Sequence, residues 1–288
     1  MHTKQKSGVL AVVGAALCFG TTGTTQQLGA PDVAPVSVGA ARLLCGSIFL
    51  FLFAYLQRRN RGTERMTFKD LVICGAGVGI YQLTFFSAVH LTGIAVATVT
   101  ALGSVPTFSA IVAYVLLGEK PTKSWYLGTS VTIIGIGLLG TAHGISGFNL
   151  VGFTLAAVAG FGFAVFSVVS RRSLSRGVQE IWLTATSFGV ASLITLPFLF
   201  AQNPEWIATA KGGLTVLWLG LVPTAIGYFL FTFGLRRIES SVAATVVLAE
   251  PATATILAAV VIGERLTLQS YVGIITVALG ILYISRSR

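Results

Sequence analysis

Long apolar runs, each cut short by a polar or basic stretch, recur along the whole chain. Set against helix breakers and charges, they predict ten spans: Gly8 to Gln26, Pro35 to Leu56, Asp70 to Val89, Ile94 to Leu117, Trp125 to Ala142, Leu150 to Ser170, Ile181 to Phe200, Leu214 to Leu235, Ser241 to Ile262 and Ser270 to Ile284. Most are close to the roughly 20 residues that a helix needs to cross the hydrocarbon core of a bilayer. The narrowest divisions, at His90 to Gly93 and Arg236 to Glu239, read as tight helical hairpins. Spans and short connections together account for nearly the whole chain, so no separate soluble domain is expected.

Composition makes lipid the solvent. Of 288 residues, 54% are hydrophobic and 10% charged, against about a quarter charged in soluble domains. Mean hydropathy is +0.85. A net charge of +10 would ordinarily raise nucleic acid as a partner, but here the basic residues sit between apolar runs and read as topology signals. With the N-terminus in the cytoplasm, the inner side holds Lys4, Lys6, Arg58, Arg59, Arg61, Arg65, Lys69, Lys120, Lys123, Arg171, Arg172, Arg176, Arg236, Arg237, Arg286 and Arg288, which is 16 of the 19 basic residues. Lys211 and Arg265 fall outside and Arg42 within a helix, so the positive-inside rule places both termini in the cytoplasm of an inner- or plasma-membrane protein. Cys18, Cys45 and Cys74 each lie in a different apolar run and behave as small hydrophobes, with no disulfide framework expected. The first run follows Lys4 and Lys6 as a signal peptide would, but it is needed to complete the first repeat described next.

Residues Pro106 to Gly135 can be laid over Pro251 to Gly280 at a constant offset of 145. Pro106 pairs with Pro251, Gly118-Glu119 with Gly263-Glu264, Thr122 with Thr267, Tyr126 with Tyr271, Gly128 with Gly273 and Gly135 with Gly280. Upstream the offset is 147 and pairs Tyr81 with Tyr228, Phe86 with Phe233 and Ala97-Thr98-Val99 with Ala244-Thr245-Val246. The chain therefore reads as an all-α, polytopic membrane protein built from two repeats, residues 1–145 and 146–288. Each carries five helices, and because five is odd the second copy enters the membrane from the opposite side. Inverted repeats of this kind build secondary transporters, whose halves rock about a central site.

The paired signatures Leu117-Gly118-Glu119-Lys120 and Ile262-Gly263-Glu264-Arg265 each follow a proline-bearing helix and precede a glycine-rich one. With Gly39-Ala40-Ala41-Arg42-Leu43 and Ala249-Glu250-Pro251, the chain resembles the ten-helix EamA-type members of the drug/metabolite transporter superfamily over nearly its whole length. The resemblance implies export or exchange of small molecules, often amino acids or related metabolites, through a cavity between two halves. It does not fix the substrate, and drugs, amines and sugars stay open.

Glu250 is the one acid near the middle of an apolar span. Such groups face a cavity or a partner and mark a pathway or proton relay, the alternative being a neutral brace for the helix interrupted by Pro251. Arg42, two turns into its helix, is suited to a substrate carboxylate, or to a static pair with Glu250 or backbone carbonyls. Tyr81 and Tyr228, equivalent by the repeat, are expected on facing walls of one cavity, with Gln82 adding an amide and Thr224, Tyr228 and Thr232 forming a polar stripe. They read equally as packing or interfacial residues. Thr21 and Thr22 lie where the first helix turns polar and glycine-rich, as cavity-lining or backbone-bonded hydroxyls. Phe163 occupies the related place in the sixth helix. Pro106 and Pro251 are gating bends or static kinks, and Glu119, Glu264, His90 and His143 read as helix-end or interfacial residues.

No cofactor or metal is expected, and no enzyme. His-Glu-x-x-His and Walker A patterns are absent, no central aspartate pair exists, and Ser146 of His143-Gly144-Ile145-Ser146-Gly147 has no evident base. The expected partners are a small-molecule substrate and the bilayer, and a monomer suffices to build the cavity. A channel or facilitative pore is the competing reading.

Overall fold

The computed structural model describes residues 3–57, 64–142, 149–201 and 203–286. Arg58, Arg59, Arg61, Arg288, the stretch from His143 to Gly147 and the expected repeat boundary after residue 145 lie outside them. Among the described residues the chain is all-helical, with nine helices long and apolar enough to cross a membrane. We label them α1 (Thr3–Gly29), α2 (Pro35–Leu56), α3 (Phe68–Leu117), α4 (Lys123–Thr141), α5 (Leu150–Ser175), α6 (Glu180–Phe200), α7 (Ala210–Leu235), α8 (Ser240–Ile262) and α9 (Leu268–Arg286). Helices are the solution lipid imposes, because each satisfies its own backbone donors and acceptors where no water can. Bulky apolar side chains such as Phe68, Val115, Val260 and Leu268 point outward, the reverse of a soluble surface and the natural state of one bathed in acyl chains. Multiple spans of this kind make the chain an integral, multi-pass membrane protein.

At 50 residues, α3 would be about 75 Å long if straight, more than twice the hydrocarbon thickness. It is not straight. Gly93 has φ 77° and ψ 160°, outside helical geometry, and divides α3 into a first arm (residues 68–92) and a second arm (residues 94–117). The break falls inside the predicted His90 to Gly93 hairpin.

Proline shapes two other helices. In α8, Pro251 cannot donate to the carbonyl of Val247, and its ring crowds that turn. The helix is interrupted at residues 247–248, and the Glu250 N–H bonds to the Val247 carbonyl instead. In α7, Pro223 sits in a widened π segment, Gly220–Ile226, where the freed Leu219 carbonyl accepts from Thr224 Oγ1 at 2.7 Å. Pro106 lies inside a second arm whose helix is continuous.

The glycines of α4 and α9 bring those helices together as antiparallel neighbours. A Cβ on Gly128 would meet Ile284 and the Gly280 carbonyl, and one on Gly273 would meet Leu139 and the Gly135 carbonyl. These contacts exchange when 145 is added or subtracted, the mark of an approximate two-fold axis perpendicular to the two helices. Others exchange too. Gly8 abuts Ile238 as Gly152 abuts Leu91, and the ring pairs Phe19–Tyr228 and Tyr81–Phe163 lie 4.7 and 5.7 Å apart.

Contacts also define two faces. On the face carrying both termini, Gly8 lies by Arg237, Asp70 pairs with Arg176, and Gly128 meets Ile284. On the far face, Gly29 meets Thr215, Trp206 donates to Ser37, and Gln269 donates to Thr141. The four ion pairs among the described residues, Glu119–Arg171, Asp70–Arg176, Glu180–Arg236 and Glu180–Arg237, all lie on the terminal face.

Candidate functional site

Between the helices is a cavity of about 160 Å³, room for on the order of ten water molecules. It is lined from α1 by Phe19, Gly20, Thr22, Gly23 and Gln26, from α2 by Arg42, and from α8 by Val247, Glu250, Pro251 and Ala254. The two arms of α3 contribute Tyr81, Phe85, Phe86, Ile94, Thr98 and Leu102, and α5 and α7 contribute Phe163 and Tyr228. The α1, α2 and second-arm residues belong to the far-face halves of their helices, so the cavity occupies the middle and far side of the bundle.

Local geometry explains how each polar group arrives there. Arg42 is anchored at both ends of its fork: Nη1 reaches Thr22 Oγ1 at 3.5 Å, and Nη2 donates to Gln82 Oε1 at 3.1 Å. Its Nε is buried with no partner, as is Gln82 Nε2. Gly39, one turn before Arg42, makes room for this arrangement, since a Cβ there would overlap the Gln82 amide and crowd Phe86. Glu250 enters through the turn that Pro251 disrupts. Its carboxylate has no hydrogen bond or ion pair to another described residue, and Arg42 takes part in none of the four ion pairs. The static Arg42–Glu250 pair left open by the sequence is therefore not formed.

The apolar wall is a connected set of rings. Tyr228 lies 4.7 Å from Phe19 and 4.4 Å from Phe188, and Phe163 touches both Tyr228, at 6.4 Å, and Tyr81, at 5.7 Å. Tyr81 in turn stacks on Phe85 at 5.6 Å. The two repeat-related tyrosines thus share one cavity, with Phe163 between them.

Two copies of a single family profile cover almost the whole chain. The EamA-like transporter family matches at residues 6–141 and 150–286. The chain belongs to the EamA-like transporter family. This EamA-like protein, a transporter of the drug/metabolite transporter type, is 34% identical over 276 residues to the uncharacterized transporter YwfM of Bacillus subtilis (strain 168), covering 96% of this chain and 93% of the relative. It is 25% identical over 271 residues to a probable terminal-alkyne amino-acid exporter of Streptantibioticus cattleyicolor, covering 91% and 87%. A solved crystal structure superposes with a TM-score of 0.83 at 21% identity, covering 97% of this chain and 96% of that one, which shows a shared fold.

Of the residues singled out from sequence, the EamA-like fold places Arg42, Tyr81, Tyr228, Glu250, Thr22 and Pro251 on the cavity, and Gln82 behind Arg42. Four others lie off it, among them Thr224, which is fully buried and donates to the Leu219 carbonyl. Thr21 donates to the Cys18 carbonyl and accepts from the Trp218 indole. Thr232 is fully buried, bonded to Thr184 at 2.9 Å and to the Tyr228 carbonyl. Pro106 is buried in the second arm of α3. Gln26, Thr98, Phe85 and Phe86 line the cavity without having been singled out. Nothing in their local sequence separates them from other threonines and aromatics, although Gln26 belongs to the polar end of α1 that drew attention to Thr22.

Proposed function

We propose that this protein is a secondary transporter of small zwitterionic metabolites of the amino-acid class, moving them across the cell membrane by alternating access, with export as the working direction. The observation that carries this reading is the cavity itself. Arg42 and Glu250 line it without pairing, Arg42 Nε and Gln82 Nε2 are left unpartnered, and the remaining wall is aromatic. Buried donors without acceptors are costly, and a ligand carboxylate is the group that would satisfy a guanidinium and an amide together. The opposed carboxylate suits an ammonium, and the ring faces add cation–π attraction. The amino-acid exporter among the relatives supports this substrate class.

In this reading the chain crosses the bilayer ten times, the two arms of α3 counting separately, as two inverted five-helix units, residues 1–145 and 146–288. The reciprocal contacts about the α4–α9 crossing support that arrangement. The terminal face, with Lys4, Lys6, Lys69, Lys120 and Arg172, is cytoplasmic by the positive-inside rule. One subunit with the bilayer around it suffices, and no nucleic acid takes part. Glu250 is the candidate for proton coupling, because it is the acid that substrate would meet.

Uptake and counterflow in proteoliposomes, against a panel of amino acids, amines and sugars, test the proposal. Saturable, trans-stimulated flux of zwitterions is expected. Arg42→Gln is expected to lower kcat/KM by about 100-fold or more, as loss of a charge-assisted contact worth about 3 kcal/mol would. Glu250→Gln is expected to abolish the response to an imposed pH gradient while leaving binding measurable. Unsaturable flux would make the protein a channel, and flux confined to sugars would overturn the substrate class.

A further inference from the structure

The Gly-Glu signature occurs twice, and its two copies share a backbone but not their side-chain partners. Gly118 and Gly263 end their helices with φ 68° and 82°, a left-handed conformation that favours glycine. The next N–H, of Glu119 or Glu264, bonds back to the carbonyl of Ala113 or Ala258. Beyond that the copies part.

On the terminal face, the Glu119 carboxylate binds the guanidinium of Arg171 at the end of α5 and accepts from the N–H of Ser240, the first residue of α8, at 3.3 Å. Arg171 Nη1 also donates to the carbonyls of Leu235 and Ile238, at 2.6 and 2.5 Å. A carboxylate at a helix start and a guanidinium at a helix end are each placed where the backbone dipoles favour them. The cluster thus ties the end of α3, in the first repeat, to α5 and the α7–α8 turn, both in the second. On the far face, Glu264 is exposed and its side chain has no partner among the described residues.

The repeat identifies where the missing partners are. Gly8 and Gly152, like Phe19 and Phe163, correspond at an offset of 144, which sets Gln27 opposite Arg171. The offset of 147 sets Ala88, Leu91 and Gly93 opposite Leu235, Ile238 and Ser240. Gly93 is the break in α3, so Glu264 would meet the start of the second arm just as Glu119 meets the start of α8. The supporting helices are also equivalent: Gly20 of α1 packs on Thr253 of α8, and Gly160 of α5 packs on Ala101 and Ser104 of the second arm. Gln27 is exposed and makes no side-chain bond among the described residues.

We propose that Glu119–Arg171 and Glu264–Gln27 are alternating latches: the first closes the terminal face in the conformation described, and the second closes the far face when the first is released. This rests on the alternating-access reading above. The two latches differ in strength, because an ion pair with three further hydrogen bonds holds better than an amide against a carboxylate. That difference biases the resting protein towards a closed terminal face, in keeping with a cavity on the far side.

Disulfide trapping in lipid vesicles tests the exchange without a substrate. In full-length protein with Cys18, Cys45 and Cys74 replaced by serine, the pair Gln27→Cys and Glu264→Cys is oxidised and the yield of the intramolecular bond is read by mass spectrometry. Adding Arg171→Ala, or the near-isosteric Glu119→Gln if that variant fails to fold, is expected to raise the yield roughly threefold or more by releasing the opposing latch. An unchanged or lower yield in protein with a wild-type gel-filtration profile overturns the proposal. Flux that persists beside an unchanged yield sinks the latches alone. A higher yield with no flux on any substrate sinks the transport reading and leaves the conformational exchange standing.

Discussion

The side chain that organises the cavity is Arg42, and what holds it is an amide that fits only because residue 39 has no side chain. Gln82 accepts from Arg42 through Oε1 while its Nε2 lies against the bare Cα of Gly39. Gly39→Ala should therefore displace Gln82, lower thermal stability in detergent by an amount equivalent to about 1–3 kcal/mol of overpacking, and weaken substrate binding through Arg42. In a Gln82→Ala background the same substitution should cost less, since one of its two clashes is gone, leaving Phe86 as the other. Equal costs in both backgrounds would show that Gly39 does not position the amide. The sequence marked Arg42, Gln82 and Glu250 because polar groups in apolar runs are rare. It could not mark Gly39 for this purpose, because glycines also serve helix packing, and only the approach of α3 to α2 distinguishes the two uses.

Helix boundaries in α2, α6 and α8 fall within a residue of those expected, because apolar length and breakers determine where a span can lie. What the pattern leaves open is how each helix bends. Pro106 and Pro251 are equivalent by sequence, yet only Pro251 accompanies an interruption, and it is there that Glu250 is presented to the cavity. The glycines of α4 likewise look alike along the chain and differ in space. Gly128 lies against Ile284 and the Gly280 carbonyl, whereas a Cβ on Gly137 would meet nothing within 4 Å. Gly128→Val and its partner Gly280→Val should each force α4 and α9 apart and lower the unfolding temperature clearly, an overpacking cost of about 1–3 kcal/mol. Gly137→Val should change it little. Thermal unfolding followed by tryptophan fluorescence decides this, and a loss at Gly137 as large as at Gly128 would refute the crossing.

At the scale of the whole molecule, charge and symmetry make separate claims. Twelve described basic residues belong to the terminal face, Lys211 and Arg265 to the far face, and Arg42 to the interior. A phosphatase fused after Arg288 should accordingly be inactive and a fluorescent protein bright, with the reverse pattern at a fusion point near Lys211. The opposite result would invert the orientation. The sequence by itself determined the solvent, the helical class, the approximate spans and the internal repeat, because each follows from residue type and spacing along one dimension: apolar length sets a crossing, and constant offsets expose duplication. The tertiary structure alone decided which polar residues face the cavity, that Arg42 and Glu250 stay unpaired, and that the two Gly-Glu copies differ. Those outcomes depend on which helices approach closely enough for side chains far apart in the chain, Arg42 and Gln82 or Glu119 and Arg171, to share a hydrogen bond, and no local pattern encodes that distance.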